Sequence, residues 1–309
     1  MSVEARKWAG AFGLLGWDVR WIADGVLPGL GIGATVGVEV DEVLRAVDGC
    51  DVVVVDNLLS LPLNPEALRA VADALRGRAS IVKHYDLPWQ RDRFAGWPLP
   101  PDDPAWAHVT INELSRLQLR EHGIEAVTMY NRFPRFEPTG AAGVEAPRRP
   151  LVLQPTRAIE RKNVPAGVAL AERLRGTYWL VGPAEDGYSS TLDRVLGAAR
   201  CPVRRGMPAS DSIDDAYSAC DVVVLPSTWE GFGNPSIESA FARRPLAIGD
   251  YLVARELRTR FGFKWFSPST FTMADVSGAV IDHNEAIAAE HFSIDRLPGE
   301  IASVLERVL

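Results

Sequence analysis

Cys220-Asp221-Val222-Val223-Val224-Leu225-Pro226-Ser227-Thr228-Trp229-Glu230-Gly231-Phe232-Gly233-Asn234-Pro235-Ser236-Ile237-Glu238-Ser239-Ala240-Phe241-Ala242 reads as strand, glycine loop and helix in immediate succession. Four apolar residues, Val222 to Leu225, closed off by Pro226, suit a strand covered on both faces of a parallel sheet. Asn234 is a suitable N-cap and Pro235 fits the first helical position, so a helix is expected from there, with Glu238 in or just beyond its first turn. Backbone N–H groups and the positive helix end then point back at the loop, which is how anion sites are made.

Two carboxylates bracket that terminus, Glu230 before it and Glu238 after it. An ionised carboxylate only accepts hydrogen bonds, so each suits hydroxyl groups while loop amides suit phosphate. Phosphate flanked by hydroxyls describes a nucleotide sugar. The same residues also fit a blander account, in which Glu230 is a solvated loop residue and Glu238 complements the helix dipole.

Glu230 to Ser239 resembles the Glu-x7-Glu signature of the retaining glycosyltransferases of family 4 (glycosyl transferases group 1), which have the GT-B fold. The resemblance implies that Glu230 contacts donor-sugar hydroxyls and that Glu238 binds the nucleotide ribose. Gly231, Phe232, Gly233, Asn234 and Pro235 then form the donor-binding loop.

A chain of 309 residues has length for about two domains, each with its own core. A formal charge of -7 argues against nucleic acid as the main partner, although local basic groups can still hold phosphate. Cys50, Cys201 and Cys220 have no metal-ligand spacing and leave one unpaired in any disulfide scheme. No signal peptide is visible and no run approaches about 18 apolar residues, so a cytoplasmic location is expected.

From the start, Ala5, Trp8, Ala9, Phe12 and Leu15 recur at helical spacing, and Asp18 to Ala23 reads as a strand. The opening strand and glycine-containing loop usual in the resembling family are not seen in this sequence. Gly29, Gly31, Gly33 and Gly37 lack the dinucleotide-binding spacing and read as a loop. Val43, Leu44 and Val47 suit a short helix, and Asp51 to Asp56 a buried strand. Gly49-Cys50-Asp51-Val52-Val53-Val54-Val55 echoes Ala219-Cys220-Asp221-Val222-Val223-Val224-Leu225, which suggests two Rossmann-like halves.

A helix over 65–76 leads to a strand from Ala79 to Lys83 that ends at His84-Tyr85-Asp86-Leu87-Pro88-Trp89-Gln90-Arg91. Open α/β sheets keep ligands at such carboxyl ends. The resemblance puts His84 close to the donor sugar, while a histidine satisfying a strand-end carbonyl is the plainer alternative. Asp86, Trp89 and Arg91 are acceptor-side candidates, with Asp86 and Arg91 equally able to pair with each other. Trp97 to Pro104 is a proline-rich loop, followed by a strand at 108–111, a helix at 113–122 and a strand at 126–130. The aperiodic stretch 138–150 reads as linker.

The second half opens with a strand, Leu151 to Gln154, and the loop Pro155 to Asn163. Arg157, Arg161 and Lys162 crowd the positive end of the next helix, which is unfavourable unless an anion joins them. Arg157 and Lys162 match the pair that grips the donor diphosphate in the resembling family; Arg161 has no counterpart there. Strands at 178–181 and 202–205 follow, and the resemblance puts Met207, in Gly206-Met207-Pro208, over the nucleotide base. A helix is expected from Asp211 to Ser218 and a strand from Pro245 to Ile248. Gly249 to Glu256 departs from the glycine-rich loop usual there. Leu297, Ile301, Val304, Leu305 and Val308 give the last helix an apolar stripe, for docking across the domain boundary or for a second copy in a homodimer.

The expected fold is α/β with GT-B architecture, two Rossmann-like domains whose parallel sheets face each other across a cleft. Residues 1–135 form the acceptor-side domain, 136–150 the linker, 151–290 the donor-binding domain and 291–309 the docking helix. The implied activity is retaining transfer of a hexosyl group from a UDP- or GDP-linked sugar to an acceptor hydroxyl. As the glycosidic bond breaks, Arg157, Lys162 and the amides near Gly233 would stabilise the leaving diphosphate. No Asp-x-Asp pair is present, so no metal or other cofactor is expected. A GT-B-like epimerase and a non-catalytic nucleotide-sugar binding protein are the alternatives.

Overall fold

The computed structural model describes residues 3–32, 34–140, 146–207 and 212–309. Gly33, residues 141–145 of the expected linker, Pro208 beside Met207, and Asp211 at an expected helix start lie outside the described residues. The chain divides into two compact units, Met1–Arg132 with Ile294–Leu309, and Phe133–Ser293.

The first unit begins with helices α1 (Val3–Leu14) and α2 (Val40–Ala46). Strand β1 (Val53–Asp56), helix α3 (Pro65–Leu75) and strand β2 (Ser80–His84) follow. Strand β3 (Trp106–Thr110), helix α4 (Glu113–Glu121) and strand β4 (Ala126–Thr128) complete a parallel sheet in the order β1-β2-β3-β4. Helix α3 starts where Asn64 Oδ1 accepts the Ala67 N–H at 3.2 Å and Pro65 sets the first φ. Its buried face of Ala67, Ala70, Val71, Ala72, Ala74 and Leu75 packs on the sheet core. Burying a leucine such as Leu75 stabilises by about 1.5–3 kcal/mol.

The strand expected at Asp18 to Ala23 does not form. Val19 and Trp21 are 41% and 37% exposed, and no neighbouring strand pairs with the segment. Alternating residues without a partner strand do not hold an extended ladder.

The second unit carries β5 (Leu151–Gln154), α5 (Val164–Arg173), β6 (Thr177–Leu180), α6 (Ser189–Gly197) and β7 (Val203–Arg205). Helix α7 (Ile213–Ala219), β8 (Val222–Leu225), α8 (Pro235–Phe241), β9 (Leu246–Ile248), α9 (Leu252–Phe261) and α10 (Gly278–Phe292) follow. All five strands are parallel in the order β7-β6-β5-β8-β9. Every residue of β5 and β8 is buried, as an apolar run covered on both faces requires. The first strand of the unit, β5, lies beside its fourth, β8, so the winding reverses between them. Open α/β sheets bind ligands at such a switch point, outside the carboxyl ends of the strands.

The echo between the halves has different outcomes. β8 sits inside its sheet, whereas β1 is an edge strand with only Val55 fully buried. Of the stretch before β5, residues 137–140 are fastened to α7: Asp214 accepts the Glu137 N–H, and Asp215 accepts from the Thr139 N–H and hydroxyl and from the Gly140 N–H.

The last helix, α11 (Leu297–Leu305), lies in the first unit. Leu297, Ile301, Val304 and Leu305 pack with Trp8, Ala11 and Phe12 of α1, and Arg132 donates to Glu300 on its polar side. That packing buries Leu297, Ile301, Val304 and Leu305, while Val308 stays partly exposed. The three cysteines are free thiols. Among the described residues no helix is long and apolar enough to cross a membrane.

Candidate functional site

Two loops meet at the β5/β8 switch point. After β5 the chain passes through a 3-10 turn, Glu160–Lys162, and after β8 it runs from Pro226 to Asn234. The loops are tied by the Thr228 N–H donating to Arg161 O at 2.9 Å and by Arg161 Nη1 donating to Trp229 O at 2.9 Å. From the sheet side, Gln154 at the end of β5 donates to Lys162 O at 3.0 Å, and Tyr178 OH holds Gln154 Oε1 at 2.8 Å. Gly233 takes φ +86°, and a Cβ there would lie 2.4 Å from Tyr251 OH, so this turn admits only glycine.

Glu230 is the hub of this arrangement, 5% exposed. Its Oε1 accepts from Lys162 Nζ and from Ser227 Oγ at 2.6 Å, and its Oε2 accepts from Arg161 Nη1 at 2.8 Å. Burial by itself would raise the carboxyl, but Lys162 and Arg161 outweigh it and hold Glu230 below the usual carboxylate range. Burial pulls the Lys162 ammonium down, with Arg161 and Arg157 adding to that and Glu230 opposing it. The pair is ionic at neutral pH, because neither charge is left alone in a poorly solvated place.

This geometry gives Glu230, expected at the donor-sugar hydroxyls, protein partners on both oxygens. Three strong donors occupy the carboxylate, so in this state it positions cations rather than presenting two open oxygens to a sugar. Arg157, expected at the diphosphate, pairs with Glu185: its Nη1 donates to Glu185 Oε2 at 2.6 Å, with both side chains nearly half exposed. Gly182 makes that loop possible, since a Cβ there would fall 2.5 Å from Arg157 Cα.

Glu238 lies half-buried on α8, with Oε2 accepting from the buried Tyr217 OH at 2.6 Å. Phe232 turns inward, its ring 6.1 Å from those of Phe133 and Phe292, and so anchors the loop instead of facing a ligand. Asn234 is helical at φ -44°, ψ -41° and makes no side-chain cap, contrary to its expected role, while the buried Pro235 does start the helix. Gly231 and Met207 are half-buried. The buried Tyr251 hydroxyl, without a hydrogen-bond partner among the described residues, is a further polar group beneath the loop.

In the first unit, the expected sugar-facing His84 is fully buried with both ring nitrogens engaged. His84 Nδ1 lies 2.7 Å from Ser60 Oγ and Nε2 2.8 Å from His108 Nδ1, and His108 Nε2 lies 3.0 Å from an Asp102 oxygen. One proton arrangement satisfies every member: Ser60 donates to His84, His84 to His108 and His108 to Asp102. No imidazole nitrogen remains for a sugar. Asp86 pairs with Arg91 at 2.5 Å, and Trp89 donates to Gln118 at 3.1 Å while packing over His122. The acceptor-side candidates are thus held by one another and by α4.

This chain of side chains has a pH signature. Burial and the neighbouring His108 push His84 well below the usual imidazole range; burial also lowers His108, against the pull of Asp102. Groups whose folded pKa is depressed bind more protons when unfolded, so the stability they confer is lost as pH falls below about 6.5. The denaturation midpoint of the full chain is expected to drop between about pH 7 and pH 5. His84→Gln with His108→Gln should flatten that slope; an unchanged slope would place the acid lability elsewhere.

Arg161, Ser227 and Tyr217 escaped prediction from sequence as members of this site. For Arg161 a signal existed, three cations before one helix end. Ser227 and Tyr217 offer none, because their partners are fixed by loop and helix packing.

The fold is that of the GT-B glycosyltransferases, and relatives by sequence are enzymes of that class. The chain is 23% identical over 297 residues to a mannosylglucosylglycerate synthase of Petrotoga mobilis, covering 78% of this chain and 69% of that one. A mannosylglucosylglycerate synthase of Thermotoga maritima is also 23% identical, over 82% of this chain and 75% of its own length. Among solved structures, HepE of Anabaena in complex with UDP and glucose superposes with TM-score 0.67 at 17% identity, covering 86% of this chain and 81% of HepE. Sucrose-phosphate synthase of Thermosynechococcus elongatus gives TM-score 0.72 at 14% identity, over 98% and 92% of the two chains. No protein-family model matches the chain.

Proposed function

We propose that this protein is a retaining glycosyltransferase that moves a hexosyl group from a UDP- or GDP-linked sugar to an acceptor hydroxyl. The observation that carries the reading is the meeting of Lys162, Arg161 and Glu230 at the β5/β8 switch point, with Glu238 held by Tyr217 on the adjoining helix. Cations and carboxylates so placed suit a diphosphate with a sugar on each side. The UDP and glucose of the HepE complex, and the sugar-transferring relatives, support the same substrate class.

In this reading Glu230 and Glu185 are stand-in anions for Lys162 and Arg157 until a donor arrives. The diphosphate then draws Lys162, Arg161 and Arg157, and their charge stabilises it as the leaving group while the sugar becomes oxocarbenium-like. Glu230 orients the cations and, through any lone pair left by its three donors, a sugar hydroxyl. Glu238 takes the ribose hydroxyls, and the turn at Gly233 lets backbone amides approach the phosphates. Neutralisation falls to these side chains, with no metal required. Retention follows from acceptor attack on the face the diphosphate leaves, its oxygen taking the acceptor proton.

Incubation with a panel of UDP- and GDP-linked sugars and candidate acceptors tests the proposal. Nucleotide release with transfer, and the donor's anomeric configuration kept in the product by NMR, is the expected result. Donor isomerisation without transfer would make it an epimerase, and binding without turnover a binding protein.

A further expectation concerns Glu238. Glu238→Ala should weaken nucleotide binding, and Tyr217→Phe should do so by a smaller step, since a hydrogen bond to a charged group contributes about 1.5–3 kcal/mol. Calorimetry with UDP and GDP reads both; equal affinity in the two variants and the wild type would remove Glu238 from the site.

A further inference from the structure

At the opposite end of the second unit's sheet, the chain enters three adjacent parallel strands from the same side. Arg148 stands shortly before β5, Arg175 before β6 and Arg200 before β7, so the topology alone gathers three guanidinium groups at one edge. Arg173, at the end of α5, joins them. These four arginines, with Glu172 and Cys201, line a surface cavity of about 580 Å³. Cavities of that size suit a small ligand.

The cavity is built, not a chance run of charge. Arg173 Nη2 donates to Pro268 O at 2.7 Å and Phe271 O at 3.0 Å, which fixes one wall. Glu172 Oε1 accepts the Arg200 N–H at 2.6 Å, and its Oε2 lies 3.6 Å from the Arg200 guanidinium. The Arg148 backbone is clamped by Thr177 Oγ1, which accepts its N–H at 3.1 Å and donates to its carbonyl at 2.7 Å. Arg175 is held at φ +55°, where glycine would be the ordinary choice. Burial and Glu172 push the Cys201 thiol up, so it stays neutral.

Four positive charges therefore face one carboxylate that Arg200 already engages. The guanidinium groups of Arg148 and Arg175 have no hydrogen-bond or ion-pair partner among the described residues. In a chain of net charge -7, such a local excess of planar, forked donors is matched to a doubly charged oxyanion. We infer that this cavity is a second ligand site, which binds the phosphate group of a small phosphorylated metabolite through Arg148 and Arg175. It lies at the amino ends of the strands, whereas Lys162 and Glu230 lie beyond the carboxyl ends, so it serves an effector rather than the donor.

Titration of the full chain with inorganic phosphate and with glycerol 3-phosphate, followed by calorimetry and thermal shift, tests the assignment. Wild type and Lys162→Ala are expected to bind alike. Arg148→Gln with Arg175→Gln should weaken binding about tenfold or more while leaving the unliganded melting temperature in place, because neither guanidinium group has a partner among the described residues. Affinity unchanged in that double variant, or lost in Lys162→Ala instead, overturns the site. So does co-sedimentation with phosphatidylglycerol vesicles through the same two arginines when free phosphate gives no heat, since the ligand is then a lipid headgroup.

Discussion

Glu230→Ala is expected to destabilise the unliganded protein by about 3–5 kcal/mol, the cost of breaking a buried ion pair by removing one partner. The carboxylate takes Lys162, Arg161 and Ser227 at once, and Lys162 is only 8% exposed. Without Glu230 the ammonium has neither solvent nor counter-ion. Glu230→Gln keeps an acceptor oxygen and should lose less. Urea denaturation reads the difference, and a loss within about 1 kcal/mol, typical of exposed pairs, would mean the cluster opens to water in solution. The same variant separates two roles. A nucleoside diphosphate supplies the missing negative charge, so UDP or GDP should raise the melting temperature of Glu230→Ala at least as much as that of wild type. Turnover should nonetheless collapse, because the cations are no longer aimed.

Lys162→Ala carries the second large effect. Glu230 keeps Arg161 and Ser227 as donors, so the fold is expected to survive while one of the cations proposed to meet the diphosphate disappears. Removing one donor that stabilises developing negative charge costs about 10²–10³-fold in rate. Nucleotide release from the preferred donor should fall by that factor in kcat/KM, and nucleotide affinity should fall with it. A change smaller than about threefold, well below that range, would take Lys162 out of the diphosphate grip.

How much of this was legible follows from the range of the forces involved. The strand Val222–Leu225 and the helix start at Pro235 are written locally, by an apolar run and a proline, and both stand where the pattern puts them. Asp18 to Ala23 carries a strand-like pattern as well, yet no neighbour pairs with it and it stays irregular. Asn234 and Asn163 are good caps by type. In the folded chain Asn234 is helical and Asn163 is left-handed, and neither side chain caps.

For the site, the spacing of Glu230 and Glu238 and the cations at 157, 161 and 162 can be read from the chain itself. Their partners cannot. Glu230 meets Lys162 across 68 residues because β5 and β8 are neighbours in the sheet, and that order is a property of the winding. Arg157 turns to Glu185 for the same kind of reason: the loop after β6 bridges to the loop after β5 at Ala158 and Ala184.

His84 marks the limit most clearly. As a sequence feature it is a titratable residue at a strand end, suited to a ligand. Packing buries it between Ser60 and His108 and uses both its nitrogens. The amino-acid order by itself determined two α/β halves, the carboxylates Glu230 and Glu238 on either side of one helix start, and the cations set to meet an anion. The tertiary structure alone decided which charges face one another, since a side chain's partner depends on strand order and burial, and neither is encoded within the span of a local motif.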